Sequence, residues 1–155
     1  MSATKDEPPA PLVGALLRIP SEAVHAGIIE RLHSSGFTDV VPAHMAVLRY
    51  PGPQGRRPSE LAQDSGLTRQ AVNYLLGQLE ELGYLRRTGD RDDGRSKRIT
   101  ETARGAALRR TIRSIVADIE RELADEMGAA AFVRLVSLLR RLNATTFVRN
   151  AAAAD

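Results

Sequence analysis

Apolar residues recur every three to five positions along much of the chain, which is the pattern of helices that bury one face. The first such face consists of Leu12, Leu16, Ile19, Val24, Ile28 and Leu32. Pro20 lies within this run and removes one backbone hydrogen bond, so the sequence predicts a kink or a new helix start there, with Ser21 as the cap. Gly36 is expected to end the segment.

Proline and glycine residues delimit two short helices in the middle of the chain. Pro42 favours a helix over 43–50, because proline suits the first position of a helix. The composition of 51–58 is that of a loop. A second short helix is predicted over 59–65, and Gly66 is a helix C-terminal signal.

The next helix has the clearest pattern. Thr68 is a favourable N-cap for a helix over 69–82. Its buried face is predicted to consist of Val72, Leu75, Leu76 and Leu79. Two short helices joined through 65–67 in this way are a candidate helix-turn-helix.

A hairpin and two further helices complete the predicted order. Short strands at 84–88 and 97–101 flank a turn-rich segment. Thr102 can cap a long helix to about Met127, and a last helix follows over 129–142. The two apolar stripes consist of Leu108, Ile112, Ile115, Ile119 and Leu123 in the long helix and Phe132, Leu135, Val136, Leu139 and Leu142 in the last. The sequence therefore predicts a mainly α fold: a winged helix-turn-helix with a two-stranded wing and long terminal helices.

The face opposite the apolar one of the 69–82 helix carries side chains that can bind DNA bases. Arginine pairs with guanine in the major groove, and glutamine and asparagine pair with adenine. Arg69, Gln70 and Asn73 share this face, Tyr74 lies at its margin, and the small Gly77 allows close approach. The alternative is an exposed polar face that contacts only solvent. This helix alone does not decide between a solvent-exposed face and a DNA-binding face.

The hairpin loop favours DNA binding, because it is basic and follows the candidate helix directly. Arg91, Arg95 and Lys97 are expected to hold a wing on the minor groove and backbone, where the potential is most negative. Asp93 and Gly94 are assigned to the structure of the turn. The wing loop also contains three aspartates, and this acidity favours the alternative of a module that binds protein without DNA.

Composition narrows the class. The chain has 155 residues, 43% hydrophobic and 26% charged, which is ordinary for a folded domain. The absence of cysteine excludes disulfides, thiolate zinc sites and cysteine nucleophiles. No apolar run reaches the roughly 18 residues of a membrane span, and the acidic start does not suit a signal peptide, so we expect a cytoplasmic protein. The net charge is +3, with eleven basic and eight acidic groups in 43–105, which hints at a polyanionic partner.

Signals of catalysis or metal binding are weak. His25, His33 and His44 are spaced by eight and eleven residues, unlike the i, i+4 pairs of helical zinc sites. The sequence contains neither a nucleophile elbow nor a phosphate loop. We expect a protein that is not an enzyme and has no cofactor or bound metal, with a zinc-responsive regulator kept as an alternative.

The chain resembles the MarR family of bacterial transcription regulators from about residue 12 to 142. The wing motif of that family, D-x-R, five residues, L-T and then glycine, aligns with 93–95, 101–102 and Gly105, and 59–87 resembles the helix-turn-helix and first wing strand. Glu101 stands where the family usually has leucine. A buried glutamate needs a partner, and the candidates are three arginines: Arg86, Arg87 and Arg104.

The resemblance implies a homodimer with interleaved terminal helices, and the long apolar stripes independently allow one. The predicted interface consists of Leu12, Leu16, Leu108, Ile112, Ile115, Ile119, Phe132, Leu135 and Leu139. The resemblance also suggests a small-molecule pocket between the first, second and fifth helices. Its candidate lining residues, each of which could equally be plain core, are Ile29, His33, His44 and Leu48.

The resulting hypothesis is a dimeric regulator, expected to be a repressor that a small molecule releases from an inverted-repeat operator. The predicted DNA contacts are Ser59, Thr68, Arg69, Gln70, Asn73, Tyr74, Arg91, Arg95 and Lys97. Ser59 and Thr68 are included because helix N-termini bind phosphate. The predicted organisation is a lead-in at 1–11, dimerisation regions at 12–41 and 105–147, a DNA-binding lobe at 42–104 and a tail at 148–155.

Overall fold

The computed structural model of the protein describes residues 12–48, 55–89, 97–148 and 150. The elements in chain order are α1 (Val13–Ser34), a 3-10 turn (Pro42–His44), α2 (Met45–Leu48), α3 (Pro58–Ser65), α4 (Arg69–Glu81), β1 (Leu85–Gly89), β2 (Lys97–Glu101), α5 (Ala103–Met127) and α6 (Ala129–Asn143). The predicted fold class, a mainly α winged helix-turn-helix with a two-stranded wing, is confirmed. The domain boundaries stay a prediction.

α1 is one helix, so the predicted restart at Pro20 and the cap at Ser21 are wrong. Proline deprives the helix of a single N–H donor. Pro20 is exposed, and we infer that water can hydrate the carbonyl group left without that donor. The helix buries Ile28 and Leu32 in its second half, while its first half lies outside the core.

The helix predicted over 43–50 begins as a 3-10 turn and continues as α2, with Pro42 at the first position as expected. Residues 49–54 lie outside the described ranges. After them, α3 begins at Pro58, where the Glu60 carboxylate accepts a hydrogen bond from the backbone N–H of Arg57 at 3.1 Å. That bond satisfies one of the N–H groups that a helix start leaves without a partner.

The helix-turn-helix forms where the local signals predicted it. Gly66 ends α3 in the left-handed region, with φ of 68°. Thr68 caps α4, because its Oγ1 accepts a hydrogen bond from the Ala71 N–H at 3.1 Å. The predicted apolar face of α4 is buried: Val72, Leu75, Leu76 and Leu79. That face fixes the rotation of α4 and therefore decides which side chains remain outside.

The wing hairpin pairs antiparallel from Leu85 opposite Glu101 to Gly89 opposite Lys97. A third segment joins it, because Arg56 forms an isolated bridge with Ile99 in which each N–H donates to the other residue's carbonyl. The sequence assigned 51–58 to a loop, so this addition to the sheet was missed. A single bridge leaves no alternation of apolar and polar residues to detect.

α5 contributes to the core of its own chain, which corrects part of the predicted dimer interface. Leu108, Ile115 and Ile119 are buried within one chain, beside the buried residues of α1, and Ile112 packs against the same cluster. The three buried residues are therefore covered without a partner, whereas Ile112 is only partly buried. By contrast, no residue of α6 is buried, and this helix is described along its whole length.

Within the described ranges, none of the helices is both long enough and apolar enough to span a membrane.

Candidate nucleic-acid interface

The outward face of α4 presents the predicted base-reading side chains together. Arg69, Gln70 and Asn73 are exposed, and 67% of Tyr74 is exposed. The Thr68 cap and the buried apolar face fix the position of the helix that carries them. Ser59, which was predicted to meet phosphate, is also exposed, near the start of α3. A polar face at the beginning of the second helix of a helix-turn-helix suits entry into a major groove.

Asn73 is restrained by its own helix. Its Nδ2 donates to the carbonyl oxygen of Arg69 at 3.0 Å, one helical turn earlier. The amide oxygen and the second amide hydrogen are not used in that bond. Because an adenine edge requires one donor and one acceptor from an amide, the remaining pair is sufficient for base recognition without breaking the bond to Arg69.

The wing tip, which contains Arg91, Asp93, Gly94 and Arg95, lies outside the described residues. Lys97 begins β2, and only its backbone is described. The DNA contacts and turn roles assigned to these residues stay predictions.

At the described base of the wing, Glu101 has a different partner from the three that were expected. Both of its carboxylate oxygens accept from Nε of Arg109, at 2.8 and 2.9 Å, and the Glu101 side chain is only 10% exposed. Arg86 instead donates to Thr100, Arg87 binds Glu80, and Arg104 binds Asp39. Arg109 lies two turns into α5, so the ion pair joins the wing to the helix that follows it.

The other edge of the wing is joined to the helix-turn-helix. The Arg56 guanidinium binds Glu60 at 3.0 Å and also binds Asp64, both on α3, while its backbone pairs with Ile99 of β2. Two contacts hold the pKa of Glu60 below its usual value of 4.5: the larger effect is the hydrogen bond from the Arg57 N–H, and the second is the hydrogen bond from the Arg56 side chain. The wing is therefore attached on one side to α3 and on the other to α5.

A polar cluster joins Asp39, in the connection between α1 and the 3-10 turn, to Tyr84 and to Arg104 of α5. The hydroxyl of Tyr84, a fully buried residue, donates to Asp39 Oδ1 at 2.5 Å. Arg104 of α5 donates to Asp39 Oδ2 at 2.6 Å and to the Leu82 carbonyl at 2.9 Å, and it lies over the Tyr84 ring. Burial alone would raise the pKa of Asp39, but the bond from Tyr84 and the charge of Arg104 outweigh it and lower that pKa below 3.8.

This cluster predicts a pH-dependent contribution to stability. Because the folded-state pKa of Asp39 is lowered, its stabilisation is present above the unfolded value near 3.8 and is lost as the pH falls through the folded value. At pH 6 we expect Asp39→Asn to lower the free energy of unfolding by about 1 kcal/mol, measured by urea denaturation. The difference in the free energy of unfolding should shrink as the pH falls below 3.8 and vanish below the folded-state pKa of Asp39. A difference that stays constant from pH 6 to pH 3 would contradict the assignment, and Glu22→Gln, in an exposed pair with Arg18, serves as the control.

The predicted pocket residues lie in and around the core. Ile29 and Leu48 pack against the buried cluster. Nε2 of His33 is 2.8 Å from the Val40 carbonyl oxygen, and His44 is buried. Their role in binding a ligand stays a prediction. Among the residues that the structure describes, no three histidine, aspartate or glutamate side chains are grouped as a metal site requires.

Gln78 is a residue of the candidate interface that the sequence reasoning missed. Its Nε2 donates to the Tyr74 hydroxyl at 3.2 Å, and its Oε1 is 3.2 Å from Nε2 of buried His44. The i, i+4 spacing of Tyr74 and Gln78 was the available signal, because residues at that spacing are neighbours on a helix. The contact with His44 spans 34 positions of sequence and had no local signal.

Comparison with known proteins identifies relatives of the lobe. The family model described as MarR family matches residues 38–96. The HTH-type transcriptional repressor Rv2887 of Mycobacterium tuberculosis is 39% identical over 62 residues, which are 40% of this chain and 45% of the relative. The matched segment thus spans less than half of that relative's length.

Solved structures extend the likeness to most of the chain. The M. tuberculosis MarR family protein RV2887, in complex with salicylic acid, is 25% identical, with a TM-score of 0.64 over 86% of this chain and 98% of that chain. The repressor CouR of Rhodococcus jostii RHA1, bound to a 23-mer DNA duplex, has a TM-score of 0.69 at 22% identity, over 91% of this chain and 99% of that one. At 22% identity, the second likeness concerns the fold alone.

Proposed function

We propose that the chain is a dimeric repressor of the MarR family, whose family model matches residues 38–96, and that it binds an inverted-repeat DNA operator. The observation that carries the proposal is the outward polar face of α4, held on a buried apolar face. Arg69 reads guanine, and Gln70 and Asn73 read adenine, in the major groove. Arg91 and Arg95 of the wing hold the adjacent minor groove and backbone.

The proposed dimer rests on apolar surface that one chain leaves uncovered. In the first half of α1, 81% of Leu12 and 54% of Leu16 are exposed, and in α6, 37% of Leu135 and 48% of Leu138 are exposed. Apolar helix faces of this extent mark interaction surfaces. Two copies joined there present two α4 helices related by a two-fold axis, so the operator is an inverted repeat with half-sites about one helical turn apart.

Release by a small molecule is the third part of the proposal. The MarR family protein RV2887 is described in complex with salicylic acid, and it shares the fold over most of both chains. We place the ligand of this chain between α1, α2 and α5, beside Ile29, His33, His44 and Leu48. A ligand there would lie against the buried contact from His44 to α4.

Selection of bound sequences from a random DNA pool, followed by titration over a salt series, tests the proposal. We expect an inverted repeat, and an affinity that falls steeply with salt because phosphate contacts release counterions. Arg69→Ala should weaken operator binding about 10- to 100-fold and relax the base preference at one position in each half-site. The control Arg18→Ala removes the same charge from α1 and should change little. Wild-type affinity that does not depend on salt would contradict DNA binding.

A further inference from the structure

A chain of hydrogen bonds connects the core to the outward face of α4. The backbone N–H of Val41 donates to Nδ1 of His44 at 3.3 Å. His44 Nε2 lies 3.2 Å from Gln78 Oε1, and Gln78 Nε2 donates to the Tyr74 hydroxyl at 3.2 Å. The exposed fraction of each residue rises along this series of hydrogen bonds, from 3% at His44 through half-buried Gln78 to 67% at Tyr74.

The first bond determines the direction of the others. A backbone N–H can only donate, so Nδ1 of His44 carries no proton and the neutral ring carries it on Nε2. Nε2–H then donates to Gln78 Oε1, which leaves the Gln78 amide nitrogen, a donor, facing Tyr74. The Tyr74 oxygen therefore acts as an acceptor within the protein, which leaves its own hydrogen available for donation to a second partner.

We propose that Gln78 and His44 are positioning residues that hold the Tyr74 hydroxyl as a hydrogen-bond donor to an acceptor atom of the DNA. The proposal rests on the function proposed above and assigns one contact within it. The acceptor is a base-edge atom, such as purine N7, guanine O6 or thymine O4, or a phosphate oxygen. The amino groups of cytosine and adenine cannot accept this hydrogen, because they are themselves donors.

The contacts that Gln78 makes with His44 and Tyr74 matter because an exposed side chain otherwise loses rotamer freedom when it binds. Both polar atoms of the Gln78 amide are held, Oε1 by buried His44 and Nε2 by Tyr74, so the ordering is present before DNA arrives. A phenol that already accepts a hydrogen bond is also a better donor, since bonds in a chain polarise one another. Without the contact to His44, Tyr74 and Gln78 would be an ordinary exposed i, i+4 pair.

A double-mutant cycle on the full-length protein and the selected operator tests the positioning role. Tyr74→Phe removes the donor, and Gln78→Met keeps the length of the side chain but removes its amide. We expect each to weaken operator binding about 5-fold and the double variant to be no weaker than either single variant. The proposal would be overturned if the loss of affinity in the double variant equalled the product of the two single losses, or if Tyr74→Phe left the affinity unchanged. Gln63→Met, which removes an exposed amide from α3, is the matched control.

Two further measurements separate the outcomes. Repeating the selection with Tyr74→Phe distinguishes the acceptors: a base contact relaxes one operator position, whereas a phosphate contact lowers affinity equally for all sequences. The ring-nitrogen NMR shifts of His44 should show a proton on Nε2, and a proton on Nδ1 would overturn the proposal. If wild-type protein binds no DNA, the proposed function fails and this inference fails with it; wild-type binding with an additive cycle rejects the inference alone.

Discussion

Replacing Gly105 by alanine is expected to lower the free energy of unfolding by about 3 kcal/mol, near the upper end of the usual cost of overpacking. A Cβ atom at this position would lie 2.0 Å from the carbonyl oxygen of Tyr84 and 3.0 Å from its carbonyl carbon. Both atoms are backbone, so no change of rotamer relieves the clash. The Thr102 N–H donates to the same Tyr84 oxygen, and the Thr102 hydroxyl donates to the Gly83 carbonyl, so separating α5 from the lobe would break these bonds as well.

Gly77→Ala is the matched control, because Gly77 also lies inside a helix but has no atom within 4 Å of an added Cβ. Alanine restricts the unfolded chain and favours the helix, so this variant should gain about 0.5–1 kcal/mol. Urea denaturation of both variants without DNA measures the contrast. Equal responses of the two glycines would contradict the close approach of α5 to Tyr84.

The end of α3 and the starts of α4 and α5 were predictable because local chemistry determines them. Thr68 and Thr102 cap their helices, and Gly66 ends α3, through bonds and dihedral angles within a few residues of each position. The buried face of α4 followed from periodicity alone. The sheet bridge at Arg56 could not be predicted, since its partner Ile99 is distant in sequence and the pairing has no periodic pattern.

Ion-pair partners were not predictable for a related reason. Glu101 was recognised as a residue that needs a cation, but the candidates were chosen by closeness to the wing. The partner is Arg109, because the start of α5 turns back toward β2 and brings a residue eight positions later beside the carboxylate. The need for a partner follows from the burial of a charge, whereas the identity of the partner follows from the tertiary path.

Periodicity also cannot tell which apolar face is covered by the same chain. The stripe of α5 and the stripe of α6 look alike in sequence, yet Ile115 is 6% exposed and Leu135 is 37% exposed. The difference arises because α1 packs on α5, while α6 buries none of its residues in this chain. The α6 face and the first half of α1 are therefore the surfaces on which a second copy is expected.

Leu16→Glu is expected to convert a dimer of twice 16.9 kDa into a folded monomer of 16.9 kDa, measured by light scattering. A carboxylate without a partner is costly to remove from water, and a two-fold interface buries it in both copies. Leu16 is 54% exposed in one chain and is outside the core, so circular dichroism should show retained helix. Leu135→Glu tests the same interface from α6.

Loss of the dimer in Leu16→Glu should weaken operator binding by about 100-fold or more, because a monomer binds one half-site and loses the gain in affinity from linking two. Binding to a single half-site should change little, since Leu16 is far along the sequence from α4 and outside the core of the lobe. Ser21→Glu and Ser137→Glu add the same charge to exposed positions of the same two helices and should remain dimeric. If Leu16→Glu and Leu135→Glu both stay dimeric, two-fold pairing through these helix faces is wrong, and the inverted-repeat operator loses its structural basis.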